Sequence, residues 1–247
     1  MVQIFFCSFG TDAQQCEELK VSAERCNIPL TWYGLGQPWL GYHQKLRAMH
    51  RFVLDVESQE GPENIVCFLD GYDVLLADSA ENIARKFLSF NRPLVISAEK
   101  FMKPDESPAI QRLYGNQSPS IYQYVNSGTY VGTVTAVKYM LQWCRKYKYN
   151  VPRADGILMR SPNDQRALTT FYLKHRHLCA LDHEQQIFAC LAGHNPLTSL
   201  RYQPLPLHHN ITGSQPSIIH LNGRSKRYKK QVLQELINVD SPVNTLT

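Results

Sequence analysis

Two carboxylates, Asp70 and Asp73, stand where the apolar run of NIVCFLDGYDVLLADS (residues 64–79) gives way to polar residues. In an Asp-x-x-Asp pair at a turn after a buried strand, both side chains can turn toward one point. Hard divalent cations such as Mg²⁺ and Mn²⁺ take oxygen ligands and complete their shells with water and phosphate oxygens. A nitrogen donor beside two acids favours Mn²⁺, and His220, closing the run PSIIH, is the candidate. The chain continues as HLNG, where Asn222 and Gly223 favour a turn, and then through Arg224, Lys226 and Arg227. A metal ligand beside a basic loop suits the binding of a diphosphate.

The same residues have plainer uses. Asp70 can cap the turn that follows, Asp73 can pair with a surface cation, and a histidine after an apolar strand is commonly a structural residue. A phosphatase with an aspartyl nucleophile would need its second acid two positions on, where this chain has Tyr72.

Composition narrows the classes. With 247 residues, 43% hydrophobic and 19% charged, the chain is long enough and apolar enough to bury a sizeable core. The net charge is +5, and much of the excess lies in RSKRYKK (224–230). Such a run serves as a solvated face, a phosphate contact or a nucleic-acid contact. Tyr228 alone does not make the aromatic-and-basic pattern of nucleic-acid binding, so no nucleic-acid partner is expected. Seven cysteines, an odd number with no Cys-x-x-Cys pair, read as reduced core thiols. MVQIFFCSFGTDAQQ lacks the basic segment of a signal peptide, and no apolar stretch reaches the roughly 18 residues of a membrane span. A cytoplasmic location is therefore expected, with export by a non-classical route as the alternative.

Strands alternate with helices along the chain. VQIFFCSF, LTWYGLG, NIVCFLD and PLVISAE have strand character; TDAQQCEELKVSAERCN, YHQKLRAMHRFVLDVES and SAENIARKFLSF have helical periodicity, the first with Thr11 or Asp12 as its cap. The second half adds a strand in YVNSGTYVGTV, helices in AVKYMLQWCRKYK and DQRALTTFYLKH, a short strand with a loop in HLCALDHEQQIFACLAG, and a closing strand in PSIIHLNG. This order predicts βαβ units and a mostly parallel sheet flanked by helices. Ligands of such sheets sit beyond the carboxyl ends of the strands, where Asp70 and Asp73 stand. One domain over 1–247 is expected, with a basic C-terminal tail from about residue 224.

Seven blocks, GLGQPWLGYHQKLRAM, FLDGYDVLL, VISAE, YVNSGTYVG, NDQ, ALDHEQQIFACLAG and IIHLNG, occur here in the order found in the N-terminal glycosyltransferase domain of the procollagen lysyl hydroxylases. Spanning roughly residues 34–223, the chain resembles that family. The resemblance implies a GT-A-type, Rossmann-like α/β domain that binds a UDP-sugar through Mn²⁺ or Mg²⁺. It carries metal binding onto Asp70, Asp73 and His220, and a place near the uracil onto Tyr72. Lys45, in GYHQK, and the basic loop with Gly223 and Lys226 correspond to donor contacts. Asn126 and Ser127 of NSG lie by the sugar in this reading, and Glu99 closes the SAE block. The family's acidic cluster before DQ reads SPNDQ here, so Asp164 and Gln165 match while Asn163 replaces an acid. The family's Cys-Trp-Pro segment after SAE is replaced by KFMKP, which alters the acceptor side.

The expected activity is transfer of a hexose, glucose or galactose, from a UDP-sugar to an acceptor hydroxyl on a protein or glycan. Asp164 would be the base of an inverting reaction, or would stabilise an oxocarbenium-like state in a retaining one, with Asn126 and Gln165 beside the reacting sugar. A hydroxylase domain is not expected in a chain of this length. The alternative is a catalytically degenerate module that binds UDP or a glycan, which Asn163 and the altered segment after SAE favour.

Overall fold

The computed structural model describes residues 2–104, 106–146, 151–152, 158–159 and 163–240. The first half is a succession of βαβ steps. β1 (Ile4–Phe9) leads through α1 (Glu17–Arg25) to β2 (Leu30–Tyr33), and α2 (His43–Glu60) carries the chain to β3 (Ile65–Asp70). β1 pairs in parallel with β2 on one side and β3 on the other. Every residue of β3 except Asp70 is buried, as befits a strand covered on both faces.

After Asp70 the short β4 (Val74–Leu76) departs to a second sheet, and α3 (Ala80–Ser89) leads to β5 (Leu94–Glu99). α4 (Pro108–Tyr114) and β6 (Tyr124–Thr133) follow, and β6 inserts antiparallel between β3 and β5. α5 (Val134–Lys146) and the paired β7 (Val151–Pro152) and β8 (Leu158–Met159) precede α6 (Asp164–Lys174). β9 (Cys179–Asp182) completes a sheet of order β2-β1-β3-β6-β5-β9, in which β6 alone is reversed.

β10 (Phe188–Cys190), α7 (Pro196–Ser199), β11 (Leu200–Arg201), β12 (His208–His209) and β13 (Ile218–His220) come next. A 3₁₀ turn at Gly223–Tyr228 then runs into α8 (Lys229–Asp240). β13 lies between β10, parallel to it, and β4, antiparallel to it. Apolar side chains of α2, α5 and α6, among them Met49, Leu141 and Phe171, cover one face of the large sheet. Those of α1 and α3, among them Leu19 and Phe87, cover the other. A third cluster joins Leu75 and Ile219 of the small sheet to Val232 and Leu236 of α8. The cysteines are free thiols, six buried and Cys26 half-buried. No described helix is long and apolar enough to cross a membrane.

Three expectations need correction. α1 starts at Glu17, because Asp12 Oδ1 accepts the amides of Gln14 (2.9 Å) and Gln15 (3.2 Å) and so caps a preceding turn instead of the helix. The strand in LTWYGLG stops at Tyr33, where Gly34 and Gly36 take φ of +87° and +72°. HLCALDHEQQIFACLAG holds two strands, β9 and β10, which belong to different sheets. The basic C-terminal tail expected from about residue 224 holds, as far as Asp240, a 3₁₀ turn and α8: Lys229 Nζ meets Glu18 Oε2 at 2.7 Å and the carbonyl of Gln15 at 2.6 Å, fastening α8 to α1. Tyr147 and Lys148, expected at the end of α5, lie outside the described residues, as do Ser161 and Pro162.

Candidate active site

Three strand ends converge. β3 delivers Asp70 at its last position, Asp73 precedes β4, and His220 is the final residue of β13. Antiparallel pairing sets His220 against Val74, and the Leu221 amide donates to the carbonyl of Asp73 at 2.7 Å. One ligand atom from each of Asp70, Asp73 and His220 lies within 4.8 Å of the others. His220 Nε2 is 3.5 Å from Asp73 Oδ1, and its Nδ1 lies 3.8 Å from the Cys190 sulfur.

Space for this cluster is made by Gly128 of β6. A Cβ there would stand 2.3 Å from His220 Cε1 and 2.9 Å from Asp70 Oδ2. Two carboxylates and an imidazole around a glycine-lined hollow fit a divalent cation that accepts oxygen and nitrogen ligands. Burial drives Asp70 up to about 6, against the pull of Lys45. Burial also pushes Asp73 up, but the His220 hydrogen bond and charge outweigh it and leave that carboxyl lowered. The reciprocal contact raises His220 well above the usual imidazole value in spite of its burial.

Lys45 reaches in from the first turn of α2. Its Nζ lies 2.5 Å from Asp70 Oδ1 and 2.9 Å from Asp164 Oδ2, so a single ammonium bridges the strand-end acid and the acid that starts α6. Burial alone would lower this amine; Asp164 and Asp70 reverse the effect and hold it firmly protonated.

Sequence reasoning noted Glu99 only as the end of a motif, whereas the structure makes it the hub of a buried amide net. Its Oε1 accepts from Asn126 Nδ2 (3.1 Å) and Gln165 Nε2 (2.6 Å), and its Oε2 from Asn222 Nδ2 (3.1 Å). Gln165 Oε1 in turn accepts from the Ser127 amide (3.1 Å) and hydroxyl (3.2 Å). Burial raises Glu99, and the Gln165 and Asn126 amides oppose the shift. The signal that could have found it is the one that found Asp70: a carboxylate ending an apolar strand.

These groups border one cleft of about 780 Å³. Lys45, Asp70, Asp73, Asn126, Asp164 and Gln165 line it, and so do His220 and Gly223. Tyr72 and Lys226 do not. The Tyr72 hydroxyl accepts the amides of Thr11 (2.7 Å) and Asp12 (3.1 Å), while Lys226 Nζ sits 4.9 Å from its ring centroid. Asn163 also lines the cleft, with its Oδ1 engaged: it caps α6 by accepting the Arg166 amide at 3.0 Å. The aromatic rings on the cleft wall are Tyr42 and Phe101, the latter packed where a Cβ on Gly193 would fall 2.8 Å from it.

Comparisons with known proteins give the geometry a context. A rat relative, "Multifunctional procollagen lysine hydroxylase and glycosyltransferase LH3" (Rattus norvegicus), is 29% identical over 223 residues, which take in 83% of this chain and 27% of the relative. Its human counterpart (Homo sapiens) is 27% identical over 222 residues with the same shares. The chain thus spans only about a quarter of the length of these curated relatives. Among solved structures, a glycosyltransferase involved in the glycosylation of the major capsid of PBCV-1 superimposes with a TM-score of 0.53 at 11% identity, covering 94% of this chain and 98% of that one. That likeness bears on the fold, which is GT-A-type: a Rossmann-like, mostly parallel mixed sheet between helices. The profile of the PLOD GT domain matches residues 10–239, nearly the whole chain, and the chain therefore belongs to the PLOD GT domain family of glycosyltransferase domains.

Proposed function

We propose that the protein transfers a hexose, glucose or galactose, from a UDP-sugar to an acceptor hydroxyl on a protein or glycan, with Mn²⁺ or Mg²⁺ held by Asp70, Asp73 and His220. The observation that carries the reading is the convergence of those three ligand atoms within 4.8 Å, at the strand ends that border the cleft. When bound, the ion supplies Lewis-acid neutralisation of the charge that develops on the departing UDP.

The remaining work falls to the chain's own groups. Lys45 is a fixed cation beside Asp70, and a preorganised positive charge near a leaving diphosphate lowers the barrier by on the order of several kcal/mol. The turn at Gly223, with φ of +66°, brings backbone and Arg224 to the same wall. Lys226, over Tyr72, adds positive charge close to Asp73, and Tyr72 is the contact for the uracil. Glu99 orients the amides of Asn126 and Gln165, which are suited to reading sugar hydroxyls. To Asp164 we assign the acceptor's proton in an inverting transfer, or stabilisation of an oxocarbenium-like ring in a retaining one. The anomeric configuration of the product separates these two roles.

A second reading, a module that binds nucleotide or glycan without turnover, draws on Asn163, which stands where the family has an acid and spends its side chain on a helix cap. Release of UDP from a panel of UDP-sugars, with and without Mn²⁺, decides between them. The transferase reading expects metal-dependent release from one sugar, abolished in Asp73→Ala. UDP binding with no release from any sugar would favour the binding module.

A further inference from the structure

A second concavity opens off the cleft. Between α4 and α6 runs a groove of about 430 Å³ whose apolar walls are Met102, Pro104, Ile110, Leu113 and Leu173. Leu113 is 63% exposed, too large an apolar side chain to leave in water without some use when it stands in a row with others. The groove is continuous with the cleft in two ways. Lys103 and Pro104 line both, and α6 runs from one into the other. Asp164 and Gln165 at the start of that helix border the cleft, whereas Arg166, Thr169, Thr170, Leu173 and Lys174 border the groove. Their spacing is that of one helical face.

We infer that this groove is an acceptor subsite, seating the flank of a polypeptide whose side chains are both acidic and apolar. The inference rests on the transferase reading above. Its charge is one argument. Lys103, Arg166 and Lys174 border the groove, and among the described residues that line it there is no carboxylate. Glu106 pairs with Lys103 and borders the cleft, not the groove. Lys174 is exposed at the far end, with its Nζ 5.8 Å from the Trp143 ring centroid. Cations at the rim select an acidic partner and steer it. The walls are the other argument. They are aliphatic, and among the described residues that line the groove there is no aromatic ring on which a sugar face could stack. An aliphatic groove suits the apolar side chains of an extended peptide, whose main chain would lead its hydroxyl residue past Lys103 and Pro104 into the cleft.

The test uses short synthetic peptides with a central serine, threonine or 5-hydroxylysine, flanked by Asp/Leu, Lys/Leu or Gly/Ser residues. Their binding to the intact protein is read by fluorescence anisotropy, independently of turnover, and their KM by UDP release. The expected result is a preference of about tenfold or more for the Asp/Leu flank in both readouts. Lys174→Glu and Leu113→Asp, both exposed positions, should remove that preference while UDP-sugar hydrolysis without acceptor stays at the wild-type rate. Equal binding of all three flanks, a preference that survives both variants, or tighter binding of an anionic oligosaccharide would overturn the proposal. Absence of hydrolysis in the wild type would instead count against the transferase reading, and anisotropy would still decide the groove.

Discussion

Gly128 shows how much one residue decides at this site. Its missing side chain lets β6 run against both His220 and Asp70, and even a methyl group would overlap the imidazole at 2.3 Å. Gly128→Ala should therefore weaken Mn²⁺ binding by about 10–100-fold, the usual scale for displacing metal ligands through a neighbour. Metal titration checks this, and an unchanged affinity would mean that the three side chains do not form the site. The strand-end acids were legible in the sequence because an apolar run ending in Asp needs no partner to be noticed. Gly128 was not, and although Glu99 ends an apolar strand in the same way, its part as a hub stayed hidden, because both depend on His220, Asn126, Gln165 and Asn222, which only the fold brings near. Asn163 sits between these cases: its position in SPNDQ marked a lost acid, while its cap on the Arg166 amide appears only with α6 in view.

Elements carry the next layer. α6 presents Asp164 and Gln165 to the cleft from its first turn, so the Asn163 cap fixes the start of the helix that holds them. Asn163→Ala should cost about 1 kcal/mol of stability, whereas Asn163→Asp should keep the cap and cost little. Chemical denaturation of the two variants checks this, and equal losses would show that the side chain does not act as a cap. α8 is the element least visible beforehand. RSKRYKK reads as a solvated charge run, yet Lys229 is buried against Glu18, and Val232 and Leu236 close a cluster with the small sheet. Leu236→Ala should cost about 2–4 kcal/mol, a buried-leucine loss, by the same measurement. A loss below about 0.5 kcal/mol would mean that α8 frays from the small sheet in solution. β4 was hidden for a related reason: three residues become a strand only by pairing with β13, far along the chain.

At the scale of the molecule, the βαβ order was legible because apolar strands and periodic helices alternate through the first half. The reversal of β6 and the split of β9 from β10 into different sheets were not, since periodicity marks an element and not its neighbours. Stability as a whole should depend on acidity through His209, which is buried with Nε2 facing the Tyr122 hydroxyl at 3.2 Å and Nδ1 accepting the Thr212 amide at 3.3 Å. Burial pushes this imidazole down to about 4, below its unfolded value of about 6.5. Between those values the unfolded chain binds the extra proton, so this contribution is intact above about 6.5 and is lost on acidification toward about 4. Thermal melts over that range should fall more steeply for wild type than for His209→Gln, and parallel slopes would remove the assignment.

The claim on which the site depends is that Asp70, Asp73 and His220 hold a divalent ion through which UDP is bound. Calorimetric titration of UDP into the protein, with and without Mn²⁺ and with Asp73→Ala alongside, tests it most directly. The account predicts that UDP binding tightens by at least about tenfold with Mn²⁺ in wild type and gains nothing in Asp73→Ala. Equal UDP affinity with and without the metal, or a gain that survives loss of Asp73, would contradict it.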